Sequence, residues 1–107
     1  MADRERGYCG VRENRGGKYY TLVYGNPCAV NTDPIEKKPF YHFYPGEGVL
    51  SIGSIGCNMN CAYCQNYEIA KEFKGIATKE YTYEEVLKGF KGFGVAFTYN
   101  EPTVWYE

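Results

Sequence analysis

Two stretches of the chain carry apolar residues at successive positions. Val49-Leu50-Ser51-Ile52-Gly53-Ser54-Ile55 has them at both parities, the pattern of a strand buried on both faces. Gly94-Val95-Ala96-Phe97-Thr98-Tyr99 reads the same way. Between them, Thr82-Tyr83-Glu84-Glu85 has the form of a capping box, with Thr82 as N-cap and Glu85 at the third helical position. Val86, Leu87 and Phe90 form the apolar side of the helix that follows, and Gly92 or Gly94 ends it. The order strand, helix, strand predicts a βαβ unit with a parallel sheet, and hence an α/β fold. Asn100-Glu101-Pro102-Thr103 starts a further helix, with Pro102 in its first turn. Two strands and one complete helix leave a parallel sheet uncovered, so the expectation is a piece of a longer chain.

The segment before Gly48 has another character. Lys18 to Tyr24 is rich in aromatic and β-branched residues and stops at Gly25-Asn26-Pro27, which predicts a strand. Phe40-Tyr41-His42-Phe43-Tyr44 predicts a short aromatic strand ended by Pro45-Gly46. Val30 to Ile35 reads as a loop around Pro34, and Lys37-Lys38-Pro39 as a second break. Residues 1–17, with charges and glycines interleaved, predict a loosely ordered start, and Ala70 to Lys79 an irregular stretch. The chain therefore divides into a β-rich N-terminal extension, 1–47, and a βαβ portion, 48–107.

Composition narrows the function classes. Among 107 residues, 12 Lys and Arg face 13 Asp and Glu, a net charge of −1. A dedicated nucleic-acid binder would show a basic excess. No apolar run approaches the roughly 18 residues of a membrane span. The first seven residues are mostly charged and have no apolar core of a signal peptide, so the expected compartment is the cytoplasm. The length also falls short of the roughly 200–250 residues of a complete α/β barrel.

The five cysteines change the picture most. In a cytoplasmic chain, clustered cysteines point to metal or catalysis before disulfides. Cys57, Cys61 and Cys64 stand at C-x3-C-x2-C spacing directly after the first buried strand, where α/β enzymes place their chemistry. Three thiolates on one compact loop can hold three irons of a four-iron cluster and leave the fourth iron open. Zinc is the competing ligand, with Cys9, Cys28 or His42 as a fourth donor, although structural zinc more often uses paired knuckles. A thiol-redox reading of Cys61 and Cys64 leaves Cys57 unexplained. Cys9 and Cys28, each alone, read as structural thiols, and His42 as a hydrogen-bonded histidine among aromatics.

The triplet, with Tyr63 before its last cysteine, resembles the signature of the radical S-adenosylmethionine (radical SAM) superfamily. Four further words resemble one subgroup of it: Asp33-Pro34-Ile35-Glu36-Lys37-Lys38-Pro39, Tyr41-His42-Phe43-Tyr44-Pro45-Gly46, Gly56-Cys57-Asn58 with Cys64-Gln65-Asn66, and Thr98-Tyr99-Asn100-Glu101-Pro102-Thr103. That subgroup comprises the homologues of pyruvate formate-lyase activating enzyme known as the AmmeMemoRadiSam-system radical SAM enzyme. Gly10-Val11-Arg12-Glu13-Asn14 with Gly17 fits its N-terminal region, so the resemblance runs from about Gly7 to Glu107. It implies the start of a radical SAM partial (β/α) barrel behind a small β-rich cap. It implies that Cys57, Cys61 and Cys64 ligate a [4Fe–4S] cluster whose fourth iron takes S-adenosylmethionine. Tyr63 would lie near the adenine. Tyr99-Asn100-Glu101 would stand where the superfamily commonly has Gly-Gly-Glu, at the methionine amine, which a carboxylate suits electrostatically. Read without the resemblance, Glu101 is an acid at a helix N-terminus.

The activity so implied is reductive cleavage of S-adenosylmethionine to a 5′-deoxyadenosyl radical that abstracts hydrogen from a substrate, with glycyl-radical activation of a partner protein as one form. Besides S-adenosylmethionine, the implied partners are a protein substrate and an electron donor such as a flavodoxin or ferredoxin, with no nucleic acid and no membrane. Two other readings compete: a non-catalytic zinc or iron module, and a truncated product that keeps the motif without activity.

Overall fold

The computed structural model describes residues 1–88 and 90–107. Among the described residues, five strands form two sheets. β1 (Arg12–Arg15) and β2 (Lys18–Thr21) make an antiparallel hairpin. Its two-residue turn is Gly16-Gly17, with φ of 58° and 80°. Positive φ at both central residues gives a turn whose twist matches the flanking strands, and glycine adopts it without strain. The first residues are therefore more ordered than their polarity predicts. Glu13, on β1, draws in three arginines, with N–O distances of 2.6 Å to Arg15, 3.5 Å to Arg6 and 3.7 Å to Arg4. Val11, just before β1, is 1% exposed and packs with Cys9, Val23 and Val104 in a small core capped by Ile55, Phe73 and Trp105.

The second sheet holds β3 (Ala29–Pro34), β4 (Gly48–Gly53) and β5 (Gly94–Phe97), with β4 in the middle. β4 and β5 pair in parallel, Val49 opposite Gly94 and Ile52 opposite Phe97. That pairing is the one expected of the βαβ reading. β3 pairs antiparallel with β4 from Ala29 opposite Gly53 to Pro34 opposite Gly48. The sequence predicts a loop around Pro34 over Val30 to Ile35, and Asn31, Asp33 and Pro34 are indeed poor strand formers. The ladder to a buried central strand overrides that propensity, and Pro34 sits at the strand's end, where its missing N–H costs nothing. β3 thus joins residues before Gly48 to the sheet that follows.

Phe40–Tyr44 is a series of bends and not a strand. Its rings pack instead of its backbone pairing. Tyr44 stacks on Phe93 at 3.9 Å, and Phe43 meets both rings edge-on at 4.9 and 5.3 Å. Between β4 and β5 lie two short helices, α1 (Tyr67–Ala70) and α2 (Tyr83–Leu87). α2 begins at the expected capping box: the Glu85 amide donates to Thr82 Oγ1, and the Glu85 carboxylate accepts from the Thr82 amide. After β5, the helix start expected at Pro102 is a single 3-10 turn, Pro102–Val104. Arg12 is buried and donates Nε to the Val104 carbonyl at 2.8 Å while its guanidinium pairs with Glu107, which ties the hairpin to this turn. Among the described residues, no helix is long and apolar enough to cross a membrane.

Candidate functional site

The cysteine loop leaves the C-terminal end of β4. Ser54 and Gly56 carry it over the core, and Gly56 has φ of +81°. The loop then bends twice through its own contacts, the Met59 amide against Cys57 Sγ at 3.4 Å and the Cys64 amide against the Cys61 carbonyl at 3.3 Å. Cys57 is buried at its root, Cys61 is exposed, and Cys64 is half-buried.

Both ends of the loop are pinned. At the first end, Asn100 is buried, accepts from the Ser54 amide at 3.2 Å and donates to the Gly56 carbonyl at 2.6 Å. The Gly56 amide donates to the Ile69 carbonyl of α1 at 2.8 Å, and Lys71 Nζ donates to the Cys57 carbonyl at the same distance. At the second end, Asn66 Nδ2 donates to the Tyr99 carbonyl at 2.9 Å. Asn100 and Tyr99 are neighbours in the chain, so one short segment after β5 grips both arms. Asn66 and Lys71 were not singled out by sequence reasoning. Asn66 stands in the word Cys64-Gln65-Asn66 without a role of its own, and nothing in the sequence marks Lys71.

Tyr99 holds a left-handed backbone, with φ of +72°. For a non-glycine residue this costs on the order of 1–2 kcal/mol. Gly53 makes room for it, since a Cβ there would overlap the Tyr99 ring and meet the Thr98 carbonyl oxygen at 3.1 Å. The Tyr99 hydroxyl donates to Asp33 Oδ2 at 3.1 Å and takes a bond from Asn31 Nδ2 at 3.4 Å, and Lys38 Nζ lies 5.3 Å from the ring centre. The side chain is thus turned toward β3. Glu101 Oε1 accepts from the Thr103 amide at 3.2 Å, which is the capping role that the residue has without any ligand. Tyr63 is 91% exposed, so its ring face is open to a partner.

Asp33 is buried beside these groups and was missed by the sequence reading as a site residue. The nearby Ser51 hydroxyl, the Lys37 ammonium at 3.0 Å, the Tyr99 hydroxyl and Lys38 at 3.3 Å hold its carboxyl well below the usual carboxylate range. Among the described residues Ser51 Oγ finds no partner in hydrogen-bond geometry, so the ammonium groups and the tyrosine carry the bonding. A depressed folded-state value means that the charged form stabilises the fold above the ordinary value of 3.8, and that this contribution is lost as the pH falls below it. Asp33→Asn should therefore lower the urea midpoint at neutral pH. The gap to the wild type should narrow as the pH drops through roughly 3–4, followed by fluorescence. A gap that stays constant across that range refutes the charge assignment.

The remaining cysteines lie apart in role. Cys9 is a core residue. Cys28 places Sγ 3.6 Å from the Gly53 carbonyl, and burial pushes its thiol up from the ordinary value. All five cysteines are free thiols. Among the described residues, no three His, Cys, Asp or Glu side chains come close enough together to hold a metal ion. Cys57, Cys61 and Cys64 share a loop without their sulfurs converging. The donor set still fits an iron–sulfur cluster in kind and number: three thiols on eight residues at the end of a strand.

The chain is similar to the uncharacterized protein MJ0808 of Methanocaldococcus jannaschii, with 44% identity over 111 residues. The alignment takes in all of this chain and 33% of the relative, so the chain spans about a third of that protein's length. No family model and no solved structure matches it.

Proposed function

We propose that this chain carries the cluster-binding part of a radical SAM enzyme. The observation that supports it best is the double grip on the cysteine loop. A segment after one parallel strand fixes both ends of a three-thiol loop after the neighbouring strand. A reactive site requires its ligands on rigid supports, and this grip supplies them.

Cys57, Cys61 and Cys64 would hold a [4Fe–4S] cluster. In its reduced form that group would supply the one electron that cleaves the S–C5′ bond of S-adenosylmethionine. The chain's own residues orient and shield. Asn100 fixes the strand end beneath Cys57, and Lys71 holds the Cys57 carbonyl. Glu101 keeps Oε1 on the backbone cap, and its carboxylate would suit the methionine ammonium. Tyr63 offers its exposed face to the adenine. The cytoplasm suits five free thiols, because thiols stay reduced there.

The test is anaerobic reconstitution of the full-length protein with iron and sulfide, followed by dithionite and S-adenosylmethionine. A brown protein that yields 5′-deoxyadenosine supports the reading. A loaded protein that binds S-adenosylmethionine without forming 5′-deoxyadenosine overturns it. A colourless protein with one equivalent of zinc assigns the loop to a structural metal.

A further inference from the structure

Tyr99 joins three segments that lie far apart in sequence. Its carbonyl receives the Asn66 amide, two residues after Cys64. Its hydroxyl bridges Asp33 and Asn31 on β3. Its ring lies beneath Lys38, whose ammonium also bonds Asp33. The residue does this from a left-handed backbone that a tyrosine does not adopt unaided. In a right-handed or extended conformation the carbonyl would point elsewhere, and Asn66 would lose its acceptor. Something must therefore hold the strained conformation in place. Asp33, buried on β3, takes charge-assisted bonds from Lys37 and Lys38 just beyond the strand, and it grips the opposite end of the same side chain.

We propose that Tyr99 is a positioning residue for the Cys64 arm of the cysteine loop. Asp33, Asn31 and Lys38 hold its ring and hydroxyl, and the backbone so fixed delivers a carbonyl to Asn66. The word from Asp33 to Lys38, which no step of the chemistry uses directly, thereby sets where Cys64 stands. The proposal rests on the cluster reading for its purpose. The contact itself belongs to the chain without any bound group, and it can be tested there.

The experiment is timed alkylation of the iron-free, full-length protein by iodoacetamide, with the rate at each cysteine read by peptide mass spectrometry. Cys64 is half-buried and reports the arm, while Cys9 lies in the core and reports global opening. Asn66→Ala should raise the Cys64 rate about fivefold, the effect of one lost hydrogen bond on a local opening. Tyr99→Phe keeps the ring and should raise it about two- to threefold. If the hydroxyl acts through Asn66, the double variant should match Asn66→Ala alone. Cys9 should stay at its wild-type rate in all three. An unchanged Cys64 rate in Tyr99→Phe overturns the proposal. So does full additivity in the double variant, or a Cys9 rate that rises in step. If the alkylation order holds while the wild type takes up no iron and sulfide, the cluster reading falls and the positioning role stands.

Discussion

Replacing any one of Cys57, Cys61 or Cys64 by alanine should lower the iron bound after anaerobic reconstitution by roughly tenfold or more, with loss of the absorbance near 400 nm. Cys9→Ala and Cys28→Ala should retain it. The two groups differ in setting. The triplet occupies one loop beyond a strand end, whereas Cys9 packs with Val11, Val23 and Val104 and Cys28 leans on a backbone carbonyl. Cys9→Ala should show a modest loss of stability instead, because it removes a buried sulfur from a small core. Iron and sulfide analysis with circular dichroism separates ligand loss from unfolding. Equal iron retention across the triplet variants would end the shared-ligand assignment. A loss that includes Cys28 would enlarge the ligand set.

Gly56→Ala should be strongly destabilising. A Cβ at this position would meet the Cys9 carbonyl oxygen at 2.5 Å and the Val11 methyl groups at 2.6 and 2.9 Å. The backbone there has φ of +81°, where an alanine is strained whatever the space. Both neighbours belong to the small core, so neither can retreat cheaply. Overpacking of this kind costs about 1–3 kcal/mol, and the left-handed backbone adds about 1. The sum is a large share of the stability of a domain this small. Urea denaturation should show a much lower midpoint, and Asn100 should lose its acceptor at the Gly56 carbonyl. A midpoint within experimental error of the wild type would mean that the turn over the core tolerates a side chain.

Some of this architecture was legible in the residues and some was not, for separable reasons. The apolar run of β4 announces a strand because both of its faces are covered, Ser51 included; β5 has the same kind of run and pairs as expected, but Val95 and Phe97 leave one of its faces exposed. The Thr82–Glu85 box is local chemistry and needs no tertiary help. β3 was illegible because Asn31 and Asp33 are held extended by a ladder to β4, a cause outside the segment itself. The aromatic run at Phe40–Tyr44 misleads in the other direction. Its residues favour strands, but Phe93 gives their rings a better partner than a backbone could. The Gly16-Gly17 turn was present in the sequence as a hairpin signal, hidden by the charges around it. At the candidate site, the spacing of the thiols stands out in the sequence, while the structure leaves their sulfurs apart. Asn66, Lys71 and Asp33 were not legible, because amides and charges acquire their roles only when loops meet.

The hoop from Gly56 to Asn66 is closed at its base by bonds from two consecutive residues, Tyr99 and Asn100. The entropy of bringing its ends together is thus spent during folding, before any ligand arrives. What binding must still order is the short crown that carries the thiols. The same arithmetic runs in reverse. A group seated in the crown would cross-brace the ends of β4 and β5 through the hoop, and it would stabilise the chain more the more tightly it is held. Occupancy of the crown and the persistence of the fold would then be two readings of one equilibrium.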